Sequence, residues 1–291
     1  MDIVILSRSA NLYSTNALVE AARRRGHFVR VLDHMQCDLI VNTGKLELNY
    51  NYESIKRVDA VIPRIGYSAT AYGAAVIKHF EGMGVYTLLS SQVLLSCRDK
   101  LSCLQHLAAH DVPIPKTGVT NNQYTVRDIL HQVSQPPYVI KLLHGTQGLG
   151  VILSETRNNA ESIIEAFIKT EDNVLVQQYI PESKGSDLRV FVVGNKVVAA
   201  MKRQAQPGEF RSNLHRGGYS YVVKLSSAEE ELALKTAQLM GVNVAGIDIL
   251  QGSEGPMVIE VNVSPGLEGI EGTTGVDIAG DIIRYVEQSY K

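Results

Sequence analysis

Two apolar runs near the C-terminus carry three oxygen-bearing side chains, and this pattern constrains the fold most strongly. Asp248 lies in the first run, and Glu260 and Asn262 lie in the second, after a turn rich in Gly, Ser and Pro. Side chains alternate between the two faces of a strand, so Glu260 and Asn262 project from the same face. The midpoint between Asp248 and Glu260 falls inside the turn, at residue 254. The pattern therefore predicts a β-hairpin in which Asp248 faces Glu260.

The same three residues predict a metal site. Two carboxylates at cross-strand distance repel each other unless a cation neutralises them. A set of only oxygen ligands from Asp, Glu and Asn suits a hard cation such as Mg²⁺ or Mn²⁺. An ordinary polar strand edge is the alternative, and it is the better interpretation for any one of these residues alone. The three together favour the metal.

Composition excludes several classes of protein. The 291 residues include 28 basic and 30 acidic side chains, which leave a net charge of −2, so charge predicts no direct nucleic-acid partner. No run approaches membrane-spanning length, so no membrane partner is expected. The three cysteines form no CxxC pair and no secretory leader is evident, which is typical of free thiols in a reducing compartment. We expect a cytoplasmic protein.

The order of predicted elements indicates a mixed α/β and α+β fold with three lobes. Residues 1–90 alternate strand and helix and predict a parallel sheet with helices on its faces. Residues 91–180 predict a helix carrying Arg98-Asp99-Lys100 and then a compact α+β unit. Residues 181–291 predict further strands, the hairpin, and a helix that begins at Ser227 with a capping box to Glu230.

A glycine-rich loop, residues 144–150, joins two predicted strands of the central lobe. Gly145, Gly148 and Gly150 would let backbone N–H groups close over phosphates as a mobile flap, although a plain hairpin loop is the simpler interpretation of this segment alone. Lys141 precedes the loop among apolar residues, where an unpaired ammonium would be costly and a phosphate would neutralise it. A surface lysine on a half-buried strand is the alternative.

Two further segments suggest nucleotide contacts. The apolar strand from Val174 ends at Gln178 and Tyr179, where exposed backbone groups could recognise an adenine edge. The sequence interprets Asp187, a few residues further on, equally well as a ribose ligand or as a turn residue. Residues 210–218 lack periodicity and include Arg211 and Arg216, which suit bidentate binding of phosphate or carboxylate. His215 has no assigned role.

Together these features resemble the ATP-grasp superfamily, and within it the RimK family of ribosomal-protein glutamate ligases. The resemblance runs essentially from end to end. The segments that carry it are Ile62-Pro63-Arg64-Ile65-Gly66, Arg98-Asp99-Lys100, Gly145–Val151, Phe210–Gly218, Gly246–Leu250 and Glu260–Ile270.

The resemblance implies a role for each candidate residue, and it adds that the cofactor would be two Mg²⁺ or Mn²⁺ ions with ATP as co-substrate. In this sequence Gln178 departs from the family pattern, which often has Glu. By family role, the implied residues are Lys141 and Arg211 as catalytic groups; Lys100, Lys141, Gly145, Gly148, Gly150, Arg211, Ser212 and Asn213 around the phosphates; Gln178 and Tyr179 at the adenine; Asp187 as another nucleotide contact; and Asp248, Glu260 and Asn262 at the metals.

The activity implied by the resemblance is ATP-dependent addition of L-glutamate to the C-terminal glutamate of a small-subunit ribosomal protein, through an acyl phosphate. Repeated addition would give poly-glutamate, and a homo-oligomer is expected. Two alternatives remain open at this stage. One is a related ligase that acts on a small carboxylate or a carrier protein, and the other is a non-catalytic ATP-binding regulatory protein.

Overall fold

The N-terminal part of the chain forms a parallel sheet, as the alternation of strands and helices predicts. The computed structural model describes residues 1–143, 150–170, 173–212, 214 and 217–290. The strand order is β2-β1-β6-β7, and all neighbours are parallel. The elements in chain order are β1 (Asp2–Leu6), α1 (Tyr13–Arg24), β2 (Phe28–Leu32), β3 (Cys37–Asn42), β4 (Lys45–Tyr50), β5 (Glu53–Ser54), β6 (Ala60–Pro63), α2 (Thr70–Gly82) and β7 (Tyr86–Thr87).

Strands β3, β4 and β5 form a small antiparallel meander that the sequence analysis did not predict. Its edge strand β3 exposes Ile40 and Val41, so the apolar residues do not follow the alternation of a half-buried strand. The meander separates β2 from β6, and the chain then returns to the opposite side of β1. Because β1 and β6 are parallel neighbours, their carboxyl ends lie next to each other.

The helix predicted around Arg98-Asp99-Lys100 is two helices, α3 (Ser91–Arg98) and α4 (Lys100–Ala109), so the single-helix prediction was wrong. Asp99 has extended backbone angles, φ −82° and ψ 103°, and its side chain accepts a hydrogen bond from Ser102 N at 2.9 Å. This residue caps α4 and breaks the helical path. Arg98 is consequently the last residue of one helix and Lys100 the first residue of the next.

The central lobe agrees with the predicted elements to within a few residues at each end. Its antiparallel sheet has the order β10-β9-β11-β8, and two helices pack against a core that includes Tyr138 and Ile140. The elements are β8 (Thr117–Val119), α5 (Val126–Val133), β9 (Tyr138–Leu142), β10 (Val151–Ser154), α6 (Arg157–Lys169) and β11 (Val174–Gln178).

The C-terminal lobe contains a five-stranded antiparallel sheet in the order β14-β13-β12-β15-β16. The predicted capping box was wrong by one residue: the Ser226 hydroxyl accepts from Glu229 N, and the Glu229 carboxylate accepts from Ser226 N. The last two helices were not predicted. The elements are β12 (Ser186–Val193), β13 (Lys196–Gln204), β14 (Tyr219–Val222), α7 (Ser227–Leu239), β15 (Val244–Gly252), β16 (Gly255–Asn262), α8 (Glu268–Thr274) and α9 (Ile278–Ser289).

The N-terminal and C-terminal sheets share a hydrophobic core. Buried Ile3 and Ile5 of β1 belong to the same cluster as Phe191 of β12 and Ile283 of α9. The central lobe has its own cluster. The outer lobes are therefore joined by apolar packing that excludes water. Among the described residues, no helix is both long and apolar enough to cross a membrane.

Candidate active site

The C-terminal hairpin brings Asp248 and Glu260 together as predicted. Strands β15 and β16 pair with Asp248 opposite Glu260 and Gly246 opposite Asn262. Near the turn, however, Ile249 pairs with Val258, so the register shifts by one residue between the two pairs. Ile259 is the extra residue of a β-bulge. If the register near the turn continued without the bulge, Ile259 would lie opposite Asp248 in place of Glu260. The bulge therefore aims Glu260 at the face that carries Asp248.

Asp248 lies at the centre of a buried ionic network. Its carboxylate accepts hydrogen bonds from Nε and Nη2 of Arg189, the second at 2.8 Å, and lies 2.8 Å from Nη2 of Arg203. Arg203 also binds Asp187 through two hydrogen bonds of 2.7 and 2.5 Å. Burial alone would raise the pKa of Asp248, but the two guanidinium groups outweigh it and hold this pKa below its usual value. Asp248 is therefore ionised.

Gly246 explains how Arg189 reaches this network. A Cβ atom at Gly246 would lie 3.0 Å from Cδ of Arg189 and 3.1 Å from Cβ of Pro265. The missing side chain leaves room for the arginine to cross the surface of β15, beside Asp248. A larger residue would displace the guanidinium.

Two lysines lie on the other side of the site. Nζ of Lys141 donates to Oε1 of Gln177 at 2.7 Å, and Nζ of Lys100 donates to the Leu143 carbonyl at 3.0 Å. Lys100 Nζ also lies 5.5 Å from the centre of the Tyr67 ring. Burial lowers the pKa of both lysines, and the negative charge of Glu260 opposes that effect in each case. The charge of Glu260 therefore acts on both lysines, and the three side chains belong to the same site.

The predicted metal ligands differ in how fully their oxygen atoms are already used. Within the part of the chain that the structure describes, Glu260 is exposed and its carboxylate has neither a hydrogen bond nor an ion pair. Asn262 Oδ1 accepts from Ser264 N at 3.3 Å, and Asp248 is occupied by arginines. No group of three or more His, Cys, Asp or Glu side chains is arranged to hold a metal among those residues. Glu260 and Asn262 still fit a hard cation chemically, because both offer oxygen atoms on one face.

The phosphate-side residues lie partly outside the described residues. Gly145 and Gly148 fall in the segment 144–149, and Asn213, His215 and Arg216 are also outside. Gly150 is described, with φ +74°, and its carbonyl accepts from Leu142 N at 2.9 Å. A Cβ atom there would lie 2.4 Å from Cδ1 of Leu142, so only glycine fits without a shift.

Arg211 connects the C-terminal lobe to the strand that follows the glycine loop. Its Nη1 donates to the Val151 carbonyl at 3.3 Å, and its Nε and Nη2 bind Glu209 at 2.9 and 2.7 Å. The hydrogen bonds from Arg211 lower the pKa of Glu209 to about 2. Ser212, the next residue, is buried. The segment that carries Arg211 thus contacts both lobes.

The expected adenine hinge lies at the end of β11. Gln178 N donates to the Lys116 carbonyl at 2.9 Å, and Tyr179 is half-buried after the end of the strand. Asp187, by contrast, is buried within β12 and not in a turn, which removes the turn-residue alternative. Arg203 forms ion pairs with both Asp187 and Asp248, so it links the two carboxylates.

The sequence analysis missed Arg189, Arg203 and Gln177, which hold Asp248 and Lys141 in place. A signal was present for the first of them, because Asp187 and Arg189 alternate with Leu188 and Val190 in an apolar strand. The three cysteines were expected to be free thiols, and Cys37, Cys97 and Cys103 are all free and buried. Burial raises the pKa of Cys103 to about 12, so its thiol is protonated at neutral pH.

Solved structures with the same architecture include ATP-grasp proteins. One is the ATP-grasp ligase PsnB in complex with a phosphomimetic variant of its minimal precursor, Mg and ADP, with a TM-score of 0.75, 20% identity, and coverage of 100% of this chain and 98% of that chain. Another is a RimK domain ATP-grasp protein from Sphaerobacter thermophilus, with a TM-score of 0.74, 22% identity, and coverage of 99% and 100%. At these identities the likeness establishes the fold, which is ATP-grasp.

Sequence comparison narrows the class to a family. Residues 1–94 match the RimK PreATP-grasp domain, and residues 97–286 match the RimK-like ATP-grasp domain. A probable alpha-L-glutamate ligase of Vibrio cholerae is 52% identical, covering 99% of this chain and 96% of the relative. Probable alpha-L-glutamate ligase 2 of Shewanella denitrificans is 53% identical, covering 100% and 97%. The chain belongs to the RimK-like ATP-grasp family, and it is an ATP-grasp ligase that forms carbon–nitrogen bonds.

Proposed function

We propose that the protein is an alpha-L-glutamate ligase that adds L-glutamate to the C-terminal glutamate of a small-subunit ribosomal protein, with ATP converted to ADP and phosphate. The observation that carries the proposal is that Glu260, which lies opposite Asp248, is close enough to Lys100 and Lys141 for its charge to act on both. Such a set of charges suits a bound nucleoside triphosphate. The printed names of relatives about half identical to this chain support glutamate as the amine substrate.

The chemistry has two steps. An oxygen of the acceptor carboxylate attacks the γ-phosphorus of ATP, the bond from that phosphorus to the bridging oxygen of ADP breaks, and an acyl phosphate forms. The amine of glutamate then attacks the acyl carbon, loses a proton, and expels inorganic phosphate. Positioning and charge stabilisation dominate such transfers, so no nucleophilic side chain is required.

Each group of residues has a proposed role in these steps. Lys100, Lys141 and Arg211 bind the phosphates and stabilise the charge that develops on the transferred phosphoryl group. Ser212, Asn213 and the glycines of residues 145–150 surround the same phosphates and exclude water from the acyl phosphate. Gln178 and Tyr179 hold the adenine, largely through their backbone groups. Asp187 orients Arg203 and forms the nucleotide-side end of the ionic network.

Asp248, Glu260 and Asn262 would hold two Mg²⁺ or Mn²⁺ ions, which neutralise phosphate charge when bound. The free carboxylate of Glu260 supports this role most directly, since it has no partner among the described side chains. Asp248 would contribute once its hydrogen bonds with Arg189 and Arg203 rearrange. Rearrangement would also free these guanidinium groups to contact anionic substrates.

The proposed acceptor and amine donor are tested by a single assay. ADP release is measured with ATP and Mg²⁺ in the presence of L-glutamate, with and without a peptide that matches the C-terminal tail of the ribosomal protein and ends in Glu. We expect release to require both substrates, and mass spectrometry to show a peptide extended by one or more glutamate residues. Extension by several residues would also establish poly-glutamate formation.

Two outcomes would contradict the proposal. Rapid ADP release with glutamate alone, without peptide extension, would favour a small-carboxylate acceptor. ATP binding without ADP release under any combination would favour a regulatory ATP-binding protein. A matched peptide ending in Gln controls for non-specific acceptor use. Size-exclusion chromatography of the same preparation tests the proposed homo-oligomer.

A further inference from the structure

Two arginines, Arg64 and Arg98, have no carboxylate in direct contact among the described residues, although the negative charge of Glu260 partly offsets the lowering of the pKa of Arg98 by burial. Arg64 directly follows β6, and Arg98 is the last residue of α3. Neither forms an ion pair with any residue in the described ranges. Nη2 of Arg64 donates to the Pro265 carbonyl at 2.7 Å, and Nη2 of Arg98 donates to the Ile65 carbonyl at 2.7 Å. These carbonyls satisfy one donor of each guanidinium but do not neutralise its charge.

The position of Arg64 is one where open parallel sheets bind ligands. β1 pairs with β2 on one side and with β6 on the other, so the strand order reverses at β1 while all strands stay parallel. A crevice opens beyond the carboxyl ends of two such strands. Arg64 lies at this point, with its N–H donating to the Leu6 carbonyl at 2.8 Å.

The segment that follows the metal hairpin is attached to the same crevice. Pro265 accepts the hydrogen bond from Arg64, and Leu267 N donates to the Ser14 hydroxyl in the first turn of α1 at 2.9 Å. Residues 264–267 thus run from the end of β16 to the switch point of the N-terminal sheet. A substrate bound beside Glu260 would reach the two arginines along this segment.

Two buried polar atoms beside this crevice are unsatisfied. Nε of Arg98 and Oγ of Ser264 are buried and have no hydrogen-bond partner in the described part of the chain. Such atoms are rare because each costs the free energy of its lost hydration. Arg98 donates to the carbonyl of Ile65, the residue next to Arg64, so the two arginines meet at this point. Burial and the like charge of Arg98 lower the pKa of Arg64 to about 10. A carboxylate would satisfy the donors and neutralise the pair.

We infer that Arg64 and Arg98 bind the non-reacting carboxylate of an acidic substrate. The inference rests on the proposed function, in which the glutamate donor and the acidic end of the acceptor each carry carboxylates that form no bond. Guanidinium groups bind carboxylates through paired hydrogen bonds, and a lysine cannot reproduce that geometry. Lys100, Lys141 and Arg211 already surround the proposed phosphate region, so the arginine pair is left for the substrate. It would select acidic substrates over neutral ones.

The test compares Arg64→Gln and Arg98→Gln with the wild-type enzyme in steady-state kinetics. Both variants are expected to raise KM for one acidic substrate by roughly 10- to 100-fold, with KM for ATP unchanged. Glutamine and glutamate α-amide replace glutamate in one arm, and a peptide ending in Gln replaces the Glu-ended peptide in the other. The arm in which the variant loses the wild-type preference identifies whose carboxylate is bound.

Controls separate this role from a structural one. Arg127→Gln removes an arginine whose partner Glu161 lies on the surface, and it should leave every KM unchanged. Arg64→Lys keeps the charge near Pro265 and should restore part of the affinity, but not the discrimination between acid and amide. Unchanged KM values for both acidic substrates, or a rise in KM for ATP alone, would overturn the inference.

A binding measurement keeps the inference distinct from the proposed function. Calorimetric titration of wild type and Arg64→Gln with glutamate, and separately with the Glu-ended peptide, requires no turnover. Weaker binding of one ligand to Arg64→Gln supports the arginine pair even if ligation fails. Equal binding of both ligands by the two proteins overturns the inference while leaving the ligase activity intact.

Discussion

Glu260 lies opposite Asp248 across the C-terminal hairpin because Ile259 forms a one-residue bulge in β16. Bulges commonly redirect a side chain at a functional site. Asp248 is held by Arg189 and Arg203, whereas Glu260 has no such partner within the described residues. The two carboxylates therefore differ in availability: Asp248 is bound by arginines and could reach a cation only after those hydrogen bonds rearrange, whereas Glu260 is already open to a ligand.

Replacement of Glu260 by Ala should abolish ATP use without unfolding the protein. The residue is exposed, so its loss leaves no cavity, but the carboxylate proposed to hold the metal ions disappears. We expect ADP formation to fall by at least about 100-fold. Glu254→Ala, in the turn of the same hairpin, is the matched control and should retain activity. Full turnover by Glu260→Ala would remove this residue from the metal site.

Replacement of Arg203 by Leu should destabilise the fold strongly. Arg203 is buried between Asp187 and Asp248, and its removal leaves two buried carboxylates with less compensation. Breaking a buried pair in this way costs about 3–5 kcal/mol. Urea denaturation measures the loss. Arg127→Ala, which breaks an exposed pair with Glu161, should cost less than about 1 kcal/mol. Similar losses in the two variants would contradict the network's importance.

Replacement of Gly150 by Ala should impair the glycine loop. The residue has φ +74°, and an added Cβ would lie 2.4 Å from Cδ1 and 3.0 Å from Cβ of Leu142. The strain is expected to cost about 1–3 kcal/mol and to raise KM for ATP. Gly272→Ala meets no atom within 4 Å in α8 and should be neutral or slightly stabilising. Thermal unfolding and ATP titration of both variants check this difference.

Glu287 should make stability depend on acidic pH. Hydrogen bonds from Arg25 and His27 lower the pKa of Glu287 to about 2 in the folded protein, against about 4.3 in an unfolded chain. Its contribution is therefore present above about pH 4.3 and is lost as the pH falls toward 2. Because the pair is partly exposed, Glu287→Gln should cost no more than about 1 kcal/mol at pH 7.

The check on Glu287 is a series of unfolding curves between pH 7 and pH 2. The difference between wild type and Glu287→Gln should shrink below about pH 4.3. Glu254→Gln, at an exposed turn, should show no such trend. A difference that stays constant across the series would mean that the ion pair does not carry the effect.

Local sequence patterns were sufficient to predict much of the fold. Alternation in β15 and β16 predicted that Asp248 faces Glu260, and apolar runs located most strands of the central lobe. The break at Asp99 was missed because a single capping residue interrupts an otherwise continuous helical pattern. The α8 helix gave little signal because its seven residues include Gly269 and Gly272, and glycine is a poor helix former. The α9 helix did carry a signal, the Asp277 cap before an amphipathic run, which the prediction left out.

The contacts that organise the site were harder to predict. Arg203 and Asp187 lie 16 residues apart and meet through the register of β12 and β13. Arg64 and Pro265 are 201 residues apart and meet only when the outer lobes pack together. Periodicity identifies the face of a strand on which a side chain lies, but it does not identify the long-range partner. Arg189, Gln177 and the Arg64–Arg98 pair therefore became apparent only in the structure.

The central claim is that the acceptor carboxylate attacks ATP to give an acyl phosphate, and isotope transfer tests it most directly. An acceptor peptide with ¹⁸O in its terminal carboxylate is incubated with the enzyme, ATP, Mg²⁺ and glutamate, and the released phosphate is analysed by mass spectrometry. With both oxygens of that carboxylate labelled, the account predicts one ¹⁸O atom in the phosphate released by the first addition to each peptide. Extended peptide accompanied by unlabelled phosphate would contradict it.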